Sequence, residues 1–132
     1  MDVTGLTQTL FLIVCPMAFT EEEVERILEV LEDEFWSKRR PPLHLRNKVR
    51  EGQRIENQAV ELYFERPAFR KPDTWIEESI VKIRYVRKTN RWKLYWMRAD
   101  LKWHGYVPYP EAESLSEALA VVQENEYGCF FG

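Results

Sequence analysis

The first strong pattern in the chain is an amphipathic helix near the N-terminus. Apolar residues recur there at the three- and four-residue spacings of one helical face. They are Val24, Ile27, Leu28, Leu31 and Phe35. Thr20 and Glu23 have the spacing of a capping box that starts a helix, and Pro41 and Pro42 stop one. The pattern predicts a helix over residues 21–38.

Alternation of apolar and polar residues in the middle of the chain predicts an antiparallel sheet. The clearest example is Val60, Leu62 and Phe64, which alternate with polar or charged residues. Two longer segments flank Lys88-Thr89-Asn90, a polar connection of hairpin length. The predicted strands lie within residues 45–54, 60–65, 76–87, 91–98 and 101–107.

A second amphipathic helix is predicted after the strands. Ser114 and Glu117 repeat the capping-box spacing. The apolar face that follows is Leu115, Ala118, Leu119 and Val122. The order of elements predicts an α+β fold, an antiparallel β-meander of four to five strands flanked by an N-terminal and a C-terminal helix. We expect residues 17–132 to form one domain and residues 1–16 to be an extension, either a poorly ordered arm or sequence upstream of a natural start at Met17.

Composition is that of a globular domain without a metal or cofactor site. The 132 residues are 45% hydrophobic and 31% charged, which excludes wholesale disorder. The most apolar run, LFLIV at residues 10–14, is too short to cross a bilayer. Cys15 and Cys129 belong to no CxxC pair or Cys/His cluster, so no metal site is expected. A disulfide between them is geometrically conceivable, but no secretory context supports it, so we expect reduced thiols and a cytoplasmic location. No glycine-rich phosphate loop is present, so no cofactor is expected.

Charge is segregated along the chain. Residues 21–34 carry eight acids and one base, and residues 111–126 carry five acids and no base. Residues 38–104 carry eighteen bases and eight acids. Both predicted helices are therefore acidic and the predicted sheet is basic.

One face of the predicted sheet mixes cations with aromatic rings. If the apolar positions face the helices, the alternate positions face away from them. They include Tyr63, Lys82, Arg84, Lys93, Tyr95 and Met97, together with Glu61 and Glu65. Binders of single-stranded nucleic acid use cations for phosphates and rings for bases. A purely structural explanation stays open, in which Glu61 and Glu65 pair with these cations on a solvated face.

The leading hypothesis is a non-enzymatic binding module with an anionic partner. If the last strand keeps the same register, Lys102, His104 and Tyr106 join the basic face. The expected anion-binding residues are Lys82, Arg84, Lys93, Arg98 and Lys102, with Tyr63 and Tyr95 stacking. The partner is expected to be nucleic acid or an acidic protein surface, and not a membrane. Since the acidic helix of a second copy would also suit this face, a self-associating homodimer is the alternative.

Asp100 and His104 are the basis of a weaker enzyme hypothesis. Strand alternation places Asp100, Lys102 and His104 on one side, so an acid and an imidazole can converge. Such a spacing is common in charged strands, and no serine has the pattern of a nucleophile elbow. A catalytic role would require His104 to lie in a cleft.

The chain also resembles a known family. The resemblance lies in IEESIVKIRYVRKTNRWKLYWMRADLKWHGY at residues 76–106, RRPP at 39–42 and NEYGCFFG at 125–132. These motifs are similar to those of a family of small bacterial proteins catalogued as domain of unknown function number 3024. The resemblance covers about residues 20–132 and implies no activity, cofactor or partner, because none is assigned to the family. The first sixteen residues fall outside the family pattern, which favours Met17 as the natural start.

Overall fold

One antiparallel sheet forms the centre of the fold. The computed structural model describes residues 18–131, so the predicted extension over 1–16 lies outside the described residues. The strands are β1 Arg50–Glu56, β2 Ala59–Pro67, β3 Trp75–Val86, β4 Arg91–Met97, β5 Trp103–Gly105 and β6 Glu111–Ala112. Strands β1 to β5 lie side by side in chain order, and β6 also pairs with β4. The predicted meander is confirmed, with an additional strand that is too short to show alternation.

The predicted N-terminal helix is confirmed, with one irregular turn. Helix α1 spans Glu21–Leu31 and continues through a π-helical turn, Glu32–Trp36, into a last turn at Ser37–Arg39. The Thr20 hydroxyl accepts a hydrogen bond from the Glu23 N–H at 3.1 Å. The Glu23 carboxylate accepts one in return from the Thr20 N–H at 2.8 Å. The capping box predicted from the sequence is therefore complete.

The second predicted helix is also confirmed, but its cap is different from the predicted one. Helix α2 spans Leu115–Glu124, and the Ser114 hydroxyl accepts a hydrogen bond from the Glu117 N–H at 3.0 Å. The Glu117 carboxylate does not return a bond to Ser114. It accepts instead from the Glu113 N–H at 2.6 Å and from the Tyr109 hydroxyl. The side chain of Glu117 thus fixes the segment that precedes helix α2.

The core lies between the two helices and one face of the sheet. Its buried side chains come from both layers, and they include Leu31, Phe35, Val60, Leu62, Val81, Ile83, Leu94, Leu119 and Val122. The C-terminal segment closes one end of this layer, where the Phe130 ring packs 4.7 Å from the Tyr106 ring. Because the core and both helices lie on one side, no helix among residues 18–131 covers the other face of the sheet.

A β-bulge in β3 determines which of its side chains face away from the helices. Leu62 pairs with Val81 and Tyr63 pairs with Ser79, so Ile80 is an extra residue. Ile80 and Val81 are consecutive and both buried, which shifts the alternation by one position. The positions that face away are therefore Trp75, Glu77, Ser79, Lys82 and Arg84.

Candidate anion-binding face

The sheet face opposite the helices, which we call the outer face, carries most of the predicted binding residues. Directly opposed residues of neighbouring strands share a face. The buried Leu62, Ile83 and Leu94 mark the face toward the core, and the alternate positions mark the outer face. Five of the seven predicted binding residues lie on it, Tyr63, Lys82, Arg84, Lys93 and Tyr95, and Met97 lies on the same face.

On the β1 side of the outer face, arginines of β1 hold three carboxylates. Arg54 lies 3.3 Å from Glu61 and 2.7 Å from Glu77, and Arg50 lies 3.3 Å from Glu65. Partly exposed pairs of this kind each stabilise a protein by about 1 kcal/mol or less. Glu61 and Glu65 are therefore engaged by arginines of β1, and the pairing expected with Lys82, Arg84 and Lys93 is not the one they make.

On the β4 side, three cations lie together and form what we call the cationic patch: Lys82, Arg84 and Lys93. Arg84 and Lys93 are directly opposite each other. Within residues 18–131, none of the three makes an ion pair at 4.0 Å or less. Glu61 is opposite Lys82 and Glu111 is opposite Lys93, yet neither carboxylate reaches its neighbour. The three cationic groups therefore have no carboxylate in contact and can approach a bound anion.

Two aromatic rings border the cationic patch. Lys82 is directly opposite Tyr95, and a shallow depression of about 120 Å³ is lined by Lys82, Arg84, Tyr95 and Trp103. Gly105 is opposite Tyr95 on β5, and a Cβ added to it would meet nothing within 4 Å. The absence of a side chain at Gly105 leaves open space beside Tyr95, in which a flat ring can stack.

Tyr63 lies on the outer face but away from the cationic patch. It pairs with Ser79, and its ring covers Gly52 so closely that a Cβ on Gly52 would overlap it. The guanidinium carbon of Arg54 lies 5.1 Å from the ring centre. Burial raises the pKa of Tyr63 above its ordinary value of 10.0. The Tyr63 ring is thus fixed by its own chain, between β1 and the middle of the sheet.

The last long segment does not keep the register that the sequence suggested. Trp103 pairs with Met97, and His104 pairs with Trp96. Trp103 therefore lies on the outer face, and His104 lies on the side of the helices. Tyr106 is 2% exposed, and its burial raises the pKa of its hydroxyl. Placing His104 and Tyr106 on the basic face was wrong, because the turn before β5 sets the register anew.

Arg98 and Lys102 lie in the turn between β4 and β5. The Arg98 N–H donates a hydrogen bond to the Lys102 carbonyl at 3.2 Å. The guanidinium carbon of Arg98 lies 5.5 Å from the ring centre of Trp96, which packs against the core. Arg98 is therefore on the helix side of this edge and does not join the cationic patch. Lys102 is exposed in the turn beside Trp103.

Asp100 and His104 do come together, but on an exposed turn. The Nε2 atom of His104 lies 2.8 Å from Asp100 Oδ2, and the Lys102 N–H donates to Asp100 Oδ1 at 3.0 Å. The contact with His104, followed by that with Lys102, holds the pKa of Asp100 below its ordinary value of 3.8. The side chain of Asp100 is 48% exposed and that of His104 is 35% exposed. This geometry stabilises the turn that leads into β5.

The described part of the chain contains neither a metal-binding cluster nor a membrane-spanning helix. Among residues 18–131, no three histidine, cysteine, aspartate or glutamate side chains are grouped so that they could hold a metal ion. Across the same residues, no helix is both long enough and apolar enough to span a membrane. Cys129 is a half-buried free thiol, and Cys15 lies outside the described residues.

Comparison with known proteins identifies a family. No curated protein and no solved structure gives a significant match to the chain. A family model described as "Domain of unknown function (DUF3024)" matches residues 19–132. This match covers most of the chain and agrees with the motifs at residues 39–42, 76–106 and 125–132. The protein therefore belongs to the family described as domain of unknown function DUF3024.

Proposed function

We propose that the protein is a bacterial, cytoplasmic binding module that takes single-stranded nucleic acid on its outer face. The observation that carries the proposal is the cationic patch next to Tyr95 and Trp103. Unpaired cations bind phosphates, and a base that stacks on an aromatic ring contributes about 1–3 kcal/mol. Gly105 leaves space for such a base beside Tyr95.

The arrangement suits a single strand better than a duplex. Rings on a sheet face offer their surfaces to unstacked bases, whereas the bases of a duplex already stack on one another. The acidic helix layer also favours binding of the strand to the outer face. Residues 21–34, which form most of the N-terminal helix, carry eight acids and one base, and helix α2 carries Glu117 and Glu124 and no base. These acids of the helix layer repel phosphates, so the strand is directed to the opposite side of the sheet.

Binding is expected to depend strongly on salt. A labelled single-stranded oligonucleotide is titrated with the full chain at about 50 and about 200 mM salt. Neutralisation of three phosphates predicts a slope of log affinity against log salt near −2 for a single strand, so the affinity should fall roughly 15-fold. Absence of binding by the wild-type protein at both salt concentrations would refute the proposal.

A matched pair of variants tests the location of the site. The first, Lys82→Gln with Arg84→Gln, removes two charges from the cationic patch. The control, Lys48→Gln with Arg26→Gln, removes the same two charges from exposed positions elsewhere, which also have no ion pair within residues 18–131. We expect the first variant to lose at least about tenfold in affinity and part of its salt slope, and the control to bind like the wild type. An equal loss in both variants would mean that net charge alone attracts the oligonucleotide.

A further inference from the structure

The loop between β2 and β3 presents an exposed aromatic ring next to two cations. Phe69 is 93% exposed, more than any other large apolar side chain in residues 18–131. Arg70 and Lys71 follow it directly and are also exposed. Neither makes an ion pair within the described residues. The loop thus repeats, at a second place, the combination of ring and unpaired cations found at the cationic patch.

Backbone hydrogen bonds close the loop that carries Phe69. The Ala68 N–H donates to the Thr74 carbonyl at 2.8 Å, and the Thr74 N–H donates to the Lys71 carbonyl at 2.8 Å. Pro72 further restricts the backbone of this turn. Burial of a phenyl ring would stabilise the folded chain, yet the closed loop keeps this ring in solvent. Its exposure is a property of the loop geometry and not of a loose end.

The loop adjoins the end of the outer face at β2 and β3. Its first residue follows Pro67, which pairs with Trp75 at the end of the β2–β3 ladder. The guanidinium carbon of Arg50 lies 3.9 Å from the centre of the Trp75 ring. Along β3, Trp75 and Lys82 are seven residues apart, about 23 Å at the usual rise of a strand. A strand bound at the cationic patch can therefore reach the loop only if it is several nucleotides long.

We infer that Phe69, Arg70 and Lys71 form a second nucleic-acid contact, at which a base stacks on Phe69 and the two cations bind the flanking phosphates. This inference rests on the proposed function and extends it, because it predicts a path for the strand along the outer face. A nucleic acid fits this loop better than a lipid surface does. Stable attachment to a membrane requires more apolar area than a single ring supplies.

The inference is tested with single strands of two lengths. Oligonucleotides of about 4 and about 16 nucleotides cover the range of site sizes found in proteins that bind single strands. We expect Phe69→Ala to weaken binding of the long strand roughly tenfold and to leave the short strand unaffected, and Phe69→Trp to restore long-strand binding. Val107→Ala is the control, since Val107 is 84% exposed on a different loop. It should not alter binding of either strand.

The outcomes separate this inference from the proposed function. If the wild-type protein binds the long strand and Phe69→Ala binds it equally well, the second contact is refuted while the cationic patch stands. If the wild-type protein binds neither strand, both proposals are refuted. Sedimentation with vesicles of anionic phospholipid provides a third arm. Vesicle binding that depends on Phe69, with unchanged oligonucleotide affinity, would assign the loop to a membrane and overturn the inference.

Discussion

Two glycines decide how the aromatic rings lie on the outer face. Each is directly opposite a tyrosine, Gly52 opposite Tyr63 and Gly105 opposite Tyr95. The first glycine is covered by the ring of its tyrosine, whereas the second has open space where its side chain would be. Glycine thus lets the Tyr63 ring pack directly on the backbone at residue 52 and leaves open space beside Tyr95 at residue 105.

Gly52→Ala is expected to destabilise the protein by about 1–3 kcal/mol. The new Cβ would overlap the Tyr63 ring, which must then move and lose its contact with Arg54. Urea unfolding measures the free energy of unfolding of this variant. Gly105→Ala is the matched control on the same face, since its Cβ would meet nothing within 4 Å.

The cause of the Gly52 effect can be isolated with Tyr63→Ala. In that background the Cβ at residue 52 has no ring to displace, so Gly52→Ala should cost much less than in the wild type. If Gly52→Ala and Gly105→Ala have the same effect, or if Tyr63→Ala leaves the cost of Gly52→Ala unchanged, the packing argument fails.

Periodicity predicted on which face of the sheet a side chain lies better than it predicted which residues that side chain contacts. Alternation correctly indicated that Glu61, Lys82 and Tyr95 share a face. It did not indicate that Glu61 would contact Arg54, because neighbours across a strand compete for a long flexible side chain. Trp103 lies on the outer face opposite Met97. Nothing in the local sequence distinguishes it from a tryptophan of the core.

Irregularities limit prediction at the scale of the elements. Helix α1 and strands β2 to β4 follow strong periodic patterns, and all were predicted. The bulge at Ile80 can be recognised in the sequence only once the structure is known. Its signal is that Ile80 and Val81 are both apolar and buried, where strict alternation would give one apolar residue. The register of β5 has no signal at all, since it depends on the conformation of the turn over residues 98–102 and not on periodicity.

The capping box of α1 leads to a prediction about this element. Thr20→Ala removes the hydroxyl that accepts a hydrogen bond from the Glu23 N–H. We expect this variant to lose about 1 kcal/mol in the free energy of unfolding. Thr20→Ser keeps the hydroxyl and should stay close to the wild type. Chemical denaturation of the three proteins side by side gives the comparison. Equal stability of Thr20→Ala and Thr20→Ser would show that the cap contributes nothing.

The whole molecule consists of two layers of opposite charge that ion pairs hold together. Arg40 at the end of the helix layer binds both Glu32 of the helix and Glu51 of β1. Glu51 also lies 2.5 Å from Arg46, and Arg87 after β3 reaches back to Glu23 of α1 at 2.9 Å. These contacts use carboxylates that face the sheet, and the other acids of the helix layer remain on its outer surface.

This arrangement predicts how stability depends on pH. Burial opposes the charge of Glu51, but hydrogen bonds from Arg40 and Arg46 outweigh it and hold the pKa of Glu51 below its ordinary 4.5. The hydrogen bond from Arg87 likewise lowers the pKa of Glu23. A carboxyl whose pKa is lowered by folding stabilises the folded state fully above its unfolded pKa and loses that contribution as pH falls through the folded value. The free energy of unfolding should therefore decline as pH falls below about 4.5.

Glu51→Gln tests the contribution of Glu51 to this pH effect. The substitution leaves Arg40 and Arg46 without a charged acceptor on β1, so we expect a loss of about 2 kcal/mol at neutral pH and a shallower decline in acid. Glu56→Gln on the same strand is the control, because Glu56 is exposed and makes no ion pair within residues 18–131. Unfolding curves between about pH 3 and pH 7 distinguish the two. If Glu51→Gln keeps the full acid-dependent decline of the wild type, the bridge between the layers does not cause it.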